Sequence, residues 1–217
     1  MLWWGQMHKD LRHKLTLVVL GRSGSGKGTQ ARFILKRLKR QGVFHLETGR
    51  FLRDLIERKN VTTELARTRL MERGELFPWW FPIFLWMRAL VEGGNADKHI
   101  VGDGTPRRLS EARLIDEMMA WHGRALPVCI YVDVSRKEAR RRLLERGRAD
   151  DTPVAIENRL DYFPRDVAPV LHYYARQGRM AHVNGNQAPE KVFQEIDKIL
   201  KKKLGHQWPS GSKPQKK

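Results

Sequence analysis

The chain has 217 residues, 41% of them hydrophobic and 30% charged, with one cysteine and a formal net charge of +18. This length supports one substantial core with small insertions. No stretch approaches the roughly 18 uninterrupted apolar residues of a membrane span, and the lone Cys129 excludes disulfides and a cysteine-built structural zinc site.

The excess of base points first to an anionic substrate and second to nucleic acid. Met1–Trp4 lacks the basic flank and long apolar run of a secretory signal, so the expected compartment is the cytoplasm, with no membrane partner. Residues 1–13 read as an N-terminal extension carrying Trp3 and Trp4. At the other end, Lys201–Lys217 holds six lysines and no acid. It reads as a basic tail, disordered at its end, that either aids solubility or touches nucleic acid.

Short β-branched runs alternate with helical patterns, which predicts a parallel sheet with crossover helices. Strands are expected near Leu15–Leu20, Val43–Leu46, His99–Val101, Val128–Val132 and Met180–Val183. Between the first strand and a basic helix (Lys27–Gln41) lies Gly21-Arg-Ser-Gly-Ser-Gly-Lys-Gly-Thr29. Gly21, Gly24 and Gly26 let the backbone turn so that the N–H groups of the loop, Ser25 and Gly28 included, converge on a polyphosphate. Lys27 reaches the β/γ phosphates, and the helix adds its positive end. The residue after Lys27 is Gly28, so the usual magnesium-binding hydroxyl is displaced to Thr29.

Further along, Leu52–Glu57 and Thr63–Glu72 read as short helices, with Arg73-Gly74 ending the second. Trp79–Glu92 is apolar on most faces and predicts a central helix, with Trp79, Trp80, Phe84 and Trp86 as core packing. Ser135 and Glu138 form a capping box that opens a helix through Arg146. Thr152–Tyr174 is helix broken near Pro164 and Pro169, and Pro189–Lys203 is a terminal helix. Arg124, Arg140 and Arg141 read as surface charge. His45, His99, His122, His172 and His182 share no ligand spacing and read as structural or surface residues.

Several spaced fragments together resemble the adenylate kinase family of nucleoside monophosphate (NMP) kinases over about residues 14–200. They are Gly26-Lys-Gly-Thr-Gln30, His45-Leu-Glu-Thr-Gly-Arg-Phe-Leu-Arg53, Gly74-Glu-Leu76 followed by Pro78, and Asp103-Gly-Thr-Pro-Arg107. The series continues with Arg146-Gly-Arg-Ala-Asp-Asp151 together with Arg159, and with Asn184-Gly185. Each is weak alone, and six in order are specific. The resemblance implies an α/β P-loop NTPase fold, with a five-stranded parallel sheet, a small helical NMP-binding insertion at about 48–77 and a minimal lid at about 146–152.

It also implies ATP and a nucleoside monophosphate as partners, Mg2+ as cofactor, and a monomer. By the same resemblance Lys27 holds the donor β/γ phosphates, Arg142 stacks on the donor adenine, and the Asn184 loop holds that base. Arg53 and Arg107 grip the acceptor phosphate, in a pocket completed by Thr48, Gly49, Glu75, Phe77 and Gly104. Arg146, Arg148 and Arg159 neutralise the transferred phosphoryl, and Asp103 orients magnesium-bound water with Thr29 nearby. Arginine suits these tasks because its planar fork donates two parallel bonds to phosphate oxygens.

Three departures from the family pattern matter. Arg146 and Arg148 stand only two apart, which shortens the lid and predicts some ATP hydrolysis without acceptor. Thr105 replaces a phenylalanine, removing an apolar wall. Glu111 stands where AMP-specific relatives carry glutamine; an ionised glutamate only accepts hydrogen bonds, which matches guanine better than adenine, whereas Thr48 is the adenine-associated residue. AMP is the favoured acceptor, with GMP or broad acceptor use as the alternative. A reading from another class is a basic nucleotide-switch protein acting on RNA or ribosomes, although no aromatic-basic RNA-binding motif is present.

Overall fold

The computed structural model describes residues 11–210. Trp3, Trp4 and the basic residues from 211 onward lie outside the described residues. Five parallel strands, β1 (Thr16–Leu20), β2 (Val43–Glu47), β3 (His99–Asp103), β4 (Val128–Asp133) and β5 (Met180–Asn184), form one sheet in the order β2-β3-β1-β4-β5. The central strand β1 is buried along its whole length, as expected for a continuous apolar run covered on both faces.

Alternation within β1 divides the core. Leu17 and Val19 face helices α1 (Lys27–Leu38) and α9 (Pro189–Leu204), through Ile34, Leu38, Ile196 and Leu200. Val18 and Leu20 join the opposite cluster with α4 (Trp80–Val91), α5 (Leu109–Trp121) and α8 (Ala168–Arg176), through Trp86, Ile115, Met119 and Tyr174. A separate small core, Leu52, Ala66, Leu70 and Phe77 against Phe81 and Leu85, holds α2 (Thr48–Ile56) to α3 (Val61–Leu65) and its π-helical continuation to Glu72. The remaining helices are α6 (Arg136–Arg146) and α7 (Pro153–Tyr162).

Several expectations need correction. Trp86 is fully buried, but Trp79, Trp80 and Phe84 are about half exposed, so α4 buries one face and presents the other to solvent. The apolar composition of this helix hid its amphipathic placement. Ser135 caps α6 by accepting from the Glu138 N–H, but the Glu138 carboxylate turns to Arg141 and Arg142, so the reciprocal half of the box is not made. A complete box forms instead at Asn60 and Thr63. The terminal helix runs on to Leu204, so the first lysines of the basic tail lie in the last turn of α9, and Trp208 is buried with its indole N–H donated to Asp197 at 2.8 Å.

Arg140 and Arg141 are surface residues paired with Glu157, Glu138 and Glu145. Arg124 is not a surface residue. It is 5% exposed and donates to Ala96 O, Lys98 O, Leu15 O and the Thr16 hydroxyl, tying the starts of β1 and β3 together.

His99 is buried beside it, with Nδ1 accepting the Leu15 N–H at 2.9 Å. Burial lowers its pKa to about 4, aided by Lys14 and Arg124. Above about pH 6.5 the imidazole is neutral in both states and contributes no pH dependence. Below it, the unfolded chain gains a proton that the folded chain refuses. Stability is therefore expected to fall by up to about 3 kcal/mol between pH 6.5 and pH 4. Urea midpoints measured across that window, with His99→Gln giving a flatter profile, check this; identical slopes would remove His99 as the cause.

Candidate active site

In a parallel sheet the carboxyl ends of the strands open onto a crevice, where loops can place side chains without breaking the sheet. Here that crevice is a cleft of about 700 Å³. The loop after β1 supplies Gly24, Gly26, Lys27, Gly28 and Thr29. Gly24 (φ 83°) and Gly26 (φ 88°) adopt left-handed conformations that other residues resist, and Gly26 opens α1. β2 and the insertion bring Gly49, Arg53, Glu75 and Phe77 to the cleft, and the end of β3 and the loop after it bring Asp103, Gly104 and Arg107 beside the phosphate loop. The α6–α7 connection closes the third side with Arg142, Arg146, Arg148, Asp150 and Arg159.

The electrostatics follow from this crowding. Burial lowers the pKa of Lys27 to about 8; Asp103 opposes the shift, whereas Arg107, Arg146 and Arg159 add to it. Asp103 is shifted upward by its own burial, against the pull of Lys27. The Lys27 ammonium donates to Arg22 O at 3.2 Å. Arg107 is fixed by Gly104 O at 2.8 Å and the Tyr162 hydroxyl at 3.1 Å, over the rings of Phe77 and Tyr162. A cleft with this many inward cations and few carboxylates is built for a polyanion.

The acids present act on the arginines. Asp151 accepts from Arg146 at 2.6 Å and from Arg159 at 3.0 Å, and Asp150 accepts from Arg159 at 2.7 Å. Burial of Asp151 would raise its pKa, but the Arg146 hydrogen bond and charge hold the carboxyl below its ordinary value. The Arg148 backbone N–H also reaches Asp151, at 3.3 Å. The connection between α6 and α7 is thereby folded around one carboxylate pair. Glu47 similarly holds Arg53 at 2.9 Å.

Four expected site residues do not line this cleft. Ser25 and Thr48 are buried beneath it, each with a hydroxyl lacking a protein partner. Asn184 borders a smaller adjoining pocket with Arg22, Asp133 and His182, while its neighbour Gly185 accepts from Arg142 at 3.0 Å. Glu111 is the substantive correction: it is 1% exposed, and its Oε2 accepts the Arg107 backbone N–H at 2.8 Å. It braces the turn before α5 and does not line the cleft, because an acid in the first helical turn finds unpaired backbone N–H groups at hand. Thr105 is buried, and its hydroxyl takes the Trp86 indole N–H at 3.3 Å.

Sequence reasoning missed His45, Glu47 and Tyr162 as cleft residues. His45, read as structural or surface, alternates with Glu47 at the end of β2, so strand periodicity next to Thr48 was a usable signal. Tyr162 lies 55 residues from its partner Arg107, and no local pattern connects them. Among the described residues no group of three or more His, Cys, Asp or Glu side chains is arranged to hold a metal ion, and no helix is long and apolar enough to cross a membrane.

Comparison with known proteins agrees with this arrangement. The family model described as adenylate kinase matches residues 19–179. An adenylate kinase of Phocaeicola vulgatus is 30% identical over 194 residues, covering 87% of this chain and 99% of the relative. Adenylate kinase 1 of Synechocystis is 34% identical over 187 residues, covering 85% and 96%. UMP-CMP kinase 1 of Oryza sativa subsp. japonica is 35% identical over 191 residues, covering 86% and 74%. With the phosphate loop, the arginine-lined cleft and the five-stranded parallel sheet in place, the chain belongs to the adenylate kinase family.

Proposed function

We propose that this protein transfers the γ-phosphoryl group of ATP reversibly to a nucleoside monophosphate, with AMP as the favoured acceptor and two ADP as products. One observation carries the reading. Lys27 and Arg107 flank Gly104 in a single cleft that Arg53, Arg146, Arg148 and Arg159 also line.

The attacking phosphate oxygen of an acceptor is already anionic, so the protein has no proton to remove from it. Its work is placement and charge neutralisation. The backbone of Gly24–Thr29 cradles the donor phosphates, and Lys27 offsets their charge. Arg53 and Arg107 hold the acceptor phosphate, which must draw Arg53 away from Glu47. Arg146, Arg148 and Arg159 then meet the charge spread over the transferring group, exchanging Asp150 and Asp151 for phosphoryl oxygens. Arg142, tethered to Gly185, positions the donor base beside the Asn184 loop.

The residues fit a hard cation with phosphate ligands. Asp103 and Thr29 both face the cleft beside the phosphate loop, and magnesium typically keeps several waters while using one or two protein oxygens. When bound, Mg2+ would neutralise donor phosphate charge.

Thr48, the adenine-associated position by family resemblance, keeps a hydroxyl with no protein partner and favours AMP as acceptor. Glu111 is spent on Arg107, so it offers no basis for preferring guanine. Glu111→Gln is therefore expected to leave the ranking of acceptors unchanged, because the amide oxygen can still take the Arg107 N–H. A shift of preference toward AMP would return residue 111 to the base pocket. A coupled assay of magnesium-ATP against AMP, GMP, CMP, UMP and dTMP tests the main reading. AMP is expected to give the highest kcat/KM, and absence of turnover with all five would overturn it. In the same assay without acceptor, the short lid is expected to allow slow but detectable ATP hydrolysis, since an open site admits water to the phosphoryl group.

A further inference from the structure

The end of the molecule opposite the cleft carries a strong charge that phosphoryl transfer does not use. Helices α1 and α9 pack side by side on one face of the sheet and both run away from the cleft. Their far ends bring Lys39 and Arg40 to one end of this surface and Lys201, Lys202 and Lys203 to the other, all exposed. Residues 27–42 and 198–210 contain no acid. Two helix C-termini together offset only about one unit of positive charge, so ordinary helix-end compensation does not account for this accumulation.

The amino ends of the strands extend the row. Lys98 immediately precedes β3, Arg12 and Lys14 precede β1, and Arg176 precedes β5. Of the nearby carboxylates, Asp116 is held by Arg179, Asp197 by Arg37 and Glu92 by Arg88, while Asp97 and Glu117 are exposed. Five strands span about 20 Å, a length over which a nucleic-acid strand presents several phosphates.

We propose that this basic pole binds the phosphate backbone of RNA, at a surface separate from the kinase cleft. The ligand is a polyphosphate chain because the row is extended and lysine-rich, and so offers many point charges without a pocket. A membrane surface fits less well. Among the described residues the exposed apolar side chains at this end are Val91, Trp121 and Leu126, and none belongs to α1 or α9, where the lysines sit. The inference does not depend on the kinase reading, because the readout that decides it is RNA binding.

Binding of a labelled 20-nucleotide single-stranded RNA is measured by fluorescence anisotropy between 50 and 300 mM NaCl. The full chain is compared with the full-length variant K39Q/R40Q/K201Q/K202Q. The native protein is expected to bind with log K falling about 3 to 4 units per decade of salt, from five contacts at about 0.7 each. The variant should bind at least tenfold more weakly at 100 mM, with a slope near −1, while keeping the native melting temperature and its kinase turnover. Equal binding by the variant, or loss of RNA binding on saturation of the cleft with ATP, would overturn the proposal. So would binding to vesicles containing phosphatidylglycerol without binding to RNA, which would make the surface a lipid one.

Discussion

Arg159→Met is expected to lower kcat by about a thousandfold or more while changing the dissociation constant for ATP only a few-fold. Arg159 is nearly buried at the cleft wall and donates to both Asp150 and Asp151. In the empty cleft those carboxylates satisfy its planar fork. With both nucleotides bound, the same donors can turn to the transferring phosphoryl, and an arginine supplied to such a group contributes about 10³ to 10⁵ in rate. A contribution made only when charge moves appears in kcat rather than in ground-state binding. Arg159→Lys keeps the charge but loses the fork, so it is expected to recover only part of the rate. Steady-state kinetics with calorimetric ATP titration checks both variants. A large loss of ATP affinity with kcat intact would assign Arg159 to donor binding instead.

Arg124→Met should produce the largest loss of stability, about 3–5 kcal/mol, as expected when a buried cation is removed and its hydrogen-bond partners remain. The guanidinium serves backbone carbonyls at Ala96, Lys98 and Leu15 as well as the Thr16 hydroxyl. Arg124 also binds β1 to the segment before β3, so the loss falls on the central pairing of the sheet. At about 2–4 °C per kcal/mol for a chain of this size, the melting temperature should drop by roughly 10 °C. Lysine at this position cannot reach four acceptors and should rescue little. Calorimetry on both variants decides the matter; a change below about 1 kcal/mol would mean that the carbonyls find other donors.

Arg124 also marks the limit of what sequence could say. In the chain it is an arginine near Gly123 and Pro127, no different in kind from Arg140 or Arg141. Its burial depends on Leu15, Thr16, Ala96 and Lys98, all distant in sequence. Glu111 is a parallel case: four residues after Arg107 in the chain, its carboxylate takes the Arg107 backbone N–H. The face of α4 that meets solvent was equally hidden, since Trp79, Trp80 and Phe84 are as apolar as the buried Trp86.

By contrast, the amino-acid sequence alone determined the five strands, the phosphate loop between β1 and α1, and the arginines that converge on it. Those features are local: β-branched runs, glycines where the backbone turns left-handed, and charged residues at fixed offsets carry their own physical reasons. Only the tertiary structure decided which groups pair inside the cleft, that Glu111 braces Arg107, that Arg124 is internal, and that Lys39–Arg40 and Lys201–Lys203 share one surface. Burial and pairing are properties of neighbours brought together by the sheet, and a carboxylate or guanidinium takes the nearest unsatisfied partner that the fold provides.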